Sequence, residues 1–344
     1  MLSQAEENRL AALRELSRPD GPLSPTGPHA TISNPRWWDG AGPTESRDEL
    51  HERLISDARA AVPDLRQERR AIVMAGPPGA GKTYARRQIL GDRERQFLII
   101  DADGFKEALL AEAIRDRSYD SDIVPRAVRD HPQIGAAHQP LELASLVHEE
   151  SSYLAGRARS DSVKRGDNVV IDTVLGSADK ARSISAQLEA AGYDVQVVDV
   201  EVPFEVSEAR IRQRWLDGNE AARRGEGLGG RWVPSDFARN VFDGPDGRSR
   251  PEANARMVAE ESPAVSRYRV YRTTAEQAEA KAPPVLETDM SRASRGGPLV
   301  PTRSGPTAKV PQARPLPGIT RAGRTTPTRT TPGRVGPARA DRGR

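Results

Sequence analysis

The 344-residue chain contains no cysteine, which excludes disulfides, thiolate catalysis and cysteine–zinc sites. Long apolar runs are missing as well. No stretch approaches a membrane span and the N-terminus lacks an apolar signal-peptide core, so the expected location is the cytoplasm. Aromatic residues make up only 4% of the chain, and His51, His131, His138 and His148 fall at no metal-ligand spacing, so no zinc site is expected. A cationic groove is also lacking from the body, despite the overall charge of +3. Residues 291–344 carry twelve Lys/Arg and a single acid, a net of +11, which leaves −8 for residues 1–290. An acidic body with a basic tail argues against nucleic acid as the ligand of the folded part.

Glycine and proline are plentiful, at 29 and 28 residues, and their placement divides the chain. Residues 1–45 read as an N-terminal arm or linker. Residues 2–17 of it form a short helix, and the stretch from Arg18 to Pro43 is repeatedly broken by Pro and Gly. Trp37 and Trp38 are expected to tack this arm onto the body. From 282 to 344 periodicity stops and Pro, Thr, Arg and Gly recur, which predicts a disordered basic tail. Residues 46–281 between them form one domain.

That domain is organised around one stretch. The apolar run Ala71–Ala75 feeds Gly76, Pro77, Pro78, Gly79, Ala80, Gly81, Lys82 and Thr83, followed by a helix from Tyr84 to Leu90. The eight residues fit G-x-x-x-x-G-K-[ST] in its required strand–loop–helix context. Glycines let the backbone approach a phosphate, successive amides form an anion nest, Lys82 reaches the terminal phosphates and Thr83 can ligate Mg²⁺. Nucleoside triphosphate binding follows.

Further strands are expected at Phe97–Ile100, Asn168–Thr173, Tyr193–Val202 and Arg267–Tyr271, alternating with helices. This alternation predicts an α/β fold with a mainly parallel sheet of about five strands and helices on both faces. The first two of these strands end in acids, Asp101 with Asp103, and Asp172 with Thr173. Strand ends of that kind form the ligand-binding edge of such sheets. Residues 140–164 read as one helix. Gly218–Gly230, bracketed by Arg214 and Arg231, reads as a mobile lid. A body of this size suits a small-molecule kinase, which needs a carboxylate base, an acceptor pocket and cations for the transferred phosphoryl group. Each candidate also has a plainer reading. Arg214 could lie on a solvated helix face, Arg231 could stack on Trp232, Asp172 could cap a turn, and Glu149 and Glu150 could be helix surface.

From about residue 50 to 275 the chain resembles the zeta toxin family, phosphate-loop kinases of bacterial toxin–antitoxin systems. The matching pieces are the loop Gly76–Thr83, the runs Ile100–Lys106, His148–Ser152 and Asn168–Asp172, and the spacing Pro203, Arg214, Arg231, Pro234. The resemblance implies ATP- and Mg²⁺-dependent phosphorylation of the 3′-hydroxyl of UDP-N-acetylglucosamine. It makes Asp103 the base, Arg214 and Arg231 the γ-phosphate arginines, and Lys82 and Thr83 the phosphate and metal ligands, with Asp101 reaching Mg²⁺ through water. Asp172, Thr173, Glu149 and Glu150 become substrate-side residues, and a small helical antitoxin becomes a possible partner. One departure stands out: the family's acid-Gly-Thr reads Asp172-Thr173-Val174 here. Other acceptors stay open, an antibiotic or a polynucleotide hydroxyl, as does a nucleotide-gated binding module working through the basic tail.

Overall fold

Runs of Val, Ile and Ala with no polar alternation suit strands buried on both faces, and the chain uses them for a parallel sheet. The computed structural model describes residues 3–233 and 235–302. Its parallel strands are β1 (Arg70–Ala75), β2 (Leu98–Asp101), β3 (Val169–Asp172), β4 (Asp194–Glu201) and β5 (Val265–Arg272). β6 (Val285–Ser291) and β7 (Val300–Pro301) follow antiparallel, giving the order β2-β3-β1-β4-β5-β6-β7. Strand alternation divides the core. Val73, Ile171 and Val197 face one side beneath the helices Glu45–Ala60, Ala102–Arg115 and Arg250–Glu261. Ile72, Met74, Val170 and Val198 face the other side, against the helix Lys82–Leu90. Among the described residues, no helix is long and apolar enough to cross a membrane.

The sheet is two strands wider than its apolar runs indicate. β6 lies within 282–302, a stretch whose composition resembles the tail. It is held to β5 by charge: Arg267 donates to both carboxylate oxygens of Asp289 at 2.8 and 2.6 Å, and Arg272 donates to Glu287 at 2.7 Å. Cross-strand ion pairs leave no trace in a hydrophobic period. Residues 303–344, the rest of the expected tail, lie outside the described residues.

Residues 3–45 are packed onto the body and do not form a free linker. The helix Gln4–Leu16 starts on a Ser3/Glu6 capping box and buries Leu10, Leu13 and Leu16 in the main core. Its Arg9 donates to Glu142 at 2.8 Å; that carboxylate is 1% exposed and also accepts from Trp215 at 2.9 Å and Asn219 at 3.1 Å. One buried acid thus ties the N-terminal helix to two distant segments. Trp37 lies under the Arg47 guanidinium at 4.4 Å, and Trp38 packs edge-on against Tyr153 at 5.4 Å.

Two further differences concern helices. Residues 140–164 split into a 3₁₀ stretch, Pro140–Val147, and an α-helix, His148–Arg165. The helix Phe204–Arg223 runs straight through Gly218, so the expected lid starts later and is anchored. Gly230 donates to Asn219 at 2.7 Å, and a Cβ on Gly230 would stand 1.9 Å from the Trp215 carbonyl oxygen. Only glycine allows that contact.

Candidate active site

β1 is flanked by β3 and β4, while the chain leaving β1 passes over β3 to reach β2. That arrangement opens a crevice at the carboxyl end of β1, where residues 76–81 lie. Gly76 has φ 131° and a Cβ on it would meet the Val200 carbonyl oxygen at 2.2 Å, so β4 presses directly on the loop. The loop's carbonyls are tied outward to the helix Phe204–Arg223. Ser207 donates to the Pro78 oxygen at 2.6 Å, and Arg210 donates to the Gly79 and Ala80 oxygens at 3.1 and 3.2 Å. Among the described residues, no hydrogen bond uses the amides of Gly79, Gly81, Lys82 or Thr83. Carbonyls held outward and amides left available, at the start of a helix, make an anion cradle. Over it lies a cavity of about 470 Å³ lined by Gly79, Gly81, Tyr84, Arg210, Arg214 and Lys281.

Acids gather at the neighbouring strand ends. β2 and β3 pair in register so that Asp101 lies opposite Asp172, and Asp172 pairs in turn with Met74 of β1. Lys82 donates to the Gly76 carbonyl at 3.1 Å and stands 3.9 Å from Asp172, whose other oxygen is 3.6 Å from Arg86. Asp172 thus sits beside the loop lysine. Thr173 is turned back on its own chain, its hydroxyl accepting from the Leu175 amide at 3.2 Å. Leu175 is buried with φ 59°, and its carbonyl accepts from Asn254 at 2.7 Å. The turn where glycine is missing therefore still takes a left-handed residue, with Asn254 holding it there.

Asp101 caps the helix Ala102–Arg115 by accepting from the Asp103 amide at 2.9 Å. Burial, followed by the Asp103 charge, pushes Asp101 up to about 6. Asp103 behaves in the opposite way. Burial would raise it, but ion pairs with Arg231 and with Lys106, the latter at 2.9 Å, outweigh that and hold it at about 2. Arg214 is drawn below the usual guanidinium range by burial and then by Arg231, while Asp103, Asp101 and Asp172 oppose the shift. The charges of Arg214, Arg231 and all three aspartates are therefore felt at one place. Pro234, the end of the arginine–proline spacing, lies outside the described residues.

The two glutamates do not join this group together. Glu150 is fully buried and accepts from Arg47 at 2.6 and 2.9 Å and pairs with His51 at 2.6 Å. It has no surface to offer a substrate. Its motif position is matched, but the side chain turns inward to neutralise a buried arginine. Glu149 is 41% exposed and 3.8 Å from His148. His148, which opens the run His148–Ser152, also lies near the site: burial, then the charge of Lys106, lowers it to about 4, and Asp103 opposes. Lys106, Arg86, Ser207 and Arg210 were also missed. Lys106 alone carried a signal, three residues beyond Asp103 on one helix face.

Residues 110–275 match the zeta toxin family model, a stretch that begins after Asp103 and so excludes the phosphate loop. No curated protein matches. Among solved structures, a crystal structure of AvrRxo1-ORF1:AvrRxo1-ORF2 with sulphate ions is similar. It is 19% identical over 76% of this chain and 71% of that one, at a TM-score of 0.51, which shows a shared fold. A structure of the same pair with ATP is 19% identical, over 72% of this chain and 68% of that one, at TM-score 0.48. A structure from the PezAT chromosomal toxin–antitoxin system of Streptococcus pneumoniae is 15% identical, over 70% and 80%, at 0.45. The likeness to the zeta toxin family thus rests on residues 110–275, just under half of the chain.

Proposed function

We propose that the protein is an ATP-dependent kinase that phosphorylates a sugar hydroxyl, with the 3′-hydroxyl of UDP-N-acetylglucosamine as acceptor. One observation carries the reading: Lys82, Asp172, Asp101, Asp103, Arg214 and Arg231 converge at the mouth of an anion cradle. Loop amides and Lys82 hold the phosphates, and Asp172 positions Lys82. The acceptor hydroxyl passes its proton to Asp103, its oxygen forms a bond to the γ-phosphorus, and the bond to the bridging oxygen breaks to release ADP. Arg214 and Arg231 neutralise the charge that develops on the phosphoryl oxygens. Arg231 is one of the two cations that weaken Asp103 as a base, and a phosphate that draws it away relieves that. Mg²⁺, when bound, neutralises the β- and γ-phosphates. Thr83, and Asp101 through water, are the residues that would hold it. Asp101, which lies opposite Asp172 and beside Asp103, is a carboxylate whose charge such a cation would offset. A small helical antitoxin is the protein partner that the likeness to this family supports.

Incubation with γ-labelled ATP and a panel of UDP-sugars, antibiotics and oligonucleotides tests this. The expected product is labelled UDP-N-acetylglucosamine. Strong labelling of another acceptor with none of this sugar overturns the substrate, and ATP binding without transfer to any acceptor overturns the kinase in favour of a nucleotide-gated binding module.

A further inference from the structure

A second group of acids lies on the other face of β4, away from the phosphate cradle. Asp199 and Glu201 alternate with Val198 and Val200, so they face the Arg250–Glu261 helix, whose first turn supplies Glu252. All three are buried, at 0%, 2% and 8% exposure, and one oxygen from each lies within 4.8 Å of the other two. Three carboxylates in a dry interior repel one another strongly unless something positive joins them. The protein's own groups account for part of this. Ser249 donates to one oxygen of Glu201 at 2.7 Å, and Arg272 donates to one oxygen of Glu252 at 3.0 Å, with Arg248 3.6 Å from that same oxygen. Asp199 receives no cation or donor from outside the group: among the described residues, neither of its oxygens accepts a hydrogen bond.

We propose that Asp199, Glu201 and Glu252 bind a hard divalent cation, Mg²⁺ or Ca²⁺, between β4 and the Arg250–Glu261 helix. The donors are all oxygen, with no sulfur or imidazole, which selects this class over zinc or copper. Two ligand oxygens on one Ca²⁺ ion stand at most about 4.6–5.2 Å apart, so three that lie within 4.8 Å of one another are close enough to share such an ion. Three carboxylates against Arg272 and the more distant Arg248 leave the buried group net negative, a charge that a divalent ion offsets. The location gives the ion a structural role. Asp199 is the register partner of Ala75, and Val200 beside it presses on Gly76, so a cation here braces the strand that backs the phosphate loop.

The test uses the full chain at neutral pH without nucleotide, so it is independent of the kinase reading. Terbium serves as the probe, excited through Tyr268, which is buried on the same face of β5 two residues from Val270, the register partner of Asp199. One saturable site is expected, displaced by Ca²⁺ or Mg²⁺. Its affinity should fall by at least about tenfold in Asp199→Asn and persist in Thr83→Ala, which removes the hydroxyl expected at the nucleotide metal. Thermal unfolding of the unmodified protein should shift upward with millimolar Ca²⁺ or Mg²⁺ and back with chelator. Should Asp199→Asn fail to fold, Glu201→Gln takes its place. Binding that is lost in Thr83→Ala but kept in Asp199→Asn overturns the site. An unfolding temperature unmoved by either cation also overturns it, and leaves a proton shared between Asp199 and Glu201 as the charge that joins them.

Discussion

Replacing Glu150 by Gln separates the two readings of that residue. Its carboxylate is fully buried and takes three short contacts, two from Arg47 and one from His51, which are 4% and 0% exposed. Glutamine keeps the volume but removes the charge that Arg47 faces. Leaving one member of a buried ion pair uncompensated costs about 3–5 kcal/mol. The acid's own titration gives a similar figure. Burial alone would raise Glu150, yet the bonds from His51 and Arg47 bring it from 4.5 down to about 2. At about 1.4 kcal/mol per pH unit that drop corresponds to about 3 kcal/mol. Because the folded value lies below the unfolded one, this stability is fully present above about pH 4.5 and fades as the pH falls toward 2. Urea unfolding followed by tryptophan fluorescence reads the change through Trp37, which stacks on Arg47. The expected result is a loss of about 3–5 kcal/mol at neutral pH, with the two proteins converging in acid. Glu150→Leu combined with Arg47→Met should recover most of that loss, since an apolar pair of similar volume carries no desolvation cost. A loss under about 1 kcal/mol, the level of a surface pair, together with a raised KM for the acceptor, would refute the structural reading and return Glu150 to the substrate.

Gly76→Ala places a Cβ 2.2 Å from the Val200 oxygen at a φ of 131°, so the loop must move. ATP affinity by calorimetry should fall by about tenfold or more, and an unchanged Kd would show that β4 does not set the loop. Arg231→Ala removes one of the two cations on Asp103, so the carboxyl should climb from about 2 toward its ordinary range. Turnover should drop, and the acid limb of the kcat/KM–pH profile, which reports the free enzyme, should move to higher pH; a limb that stays in place would mean that the pair does not govern the base.

The phosphate loop, the parallel strands and the acids at their ends were legible because each rests on local pattern: an apolar run, a glycine spacing, a carboxylate at a strand end. What stayed hidden depends on partners distant in the chain. Glu142 joins Arg9 to Trp215 across more than half the sequence, so the N-terminal helix looked detachable. β6 is held by Arg267–Asp289 and Arg272–Glu287 pairs, which look like ordinary surface charge until the strands meet. Gly229 and Gly230 resembled the glycines of a mobile lid, yet they are there because Gln139 and Trp215 come too close for any side chain. Glycine signals that the backbone is free of a Cβ. Whether it uses that freedom to move or to pack is decided by residues far away.

The pairing of Asp103 with Arg231 bears on how a phosphate-loop enzyme restrains itself. A carboxylate at about 2 is a feeble proton acceptor, so under the proposed mechanism Arg231, with Lys106, holds the base back until the phosphoryl group is there. Lys106 holds the other oxygen of Asp103. The two functions therefore compete for one guanidinium, which quiets the base less the more it turns to the transferred charge. A triphosphate in the cradle offers Arg231 more negative charge than one half-buried carboxylate does, and the exchange follows from electrostatics without a moving lid. The anchoring of residues 228–230 on Asn219 and Leu141 fits that account, because the arginine needs only a side-chain rotation from a fixed backbone.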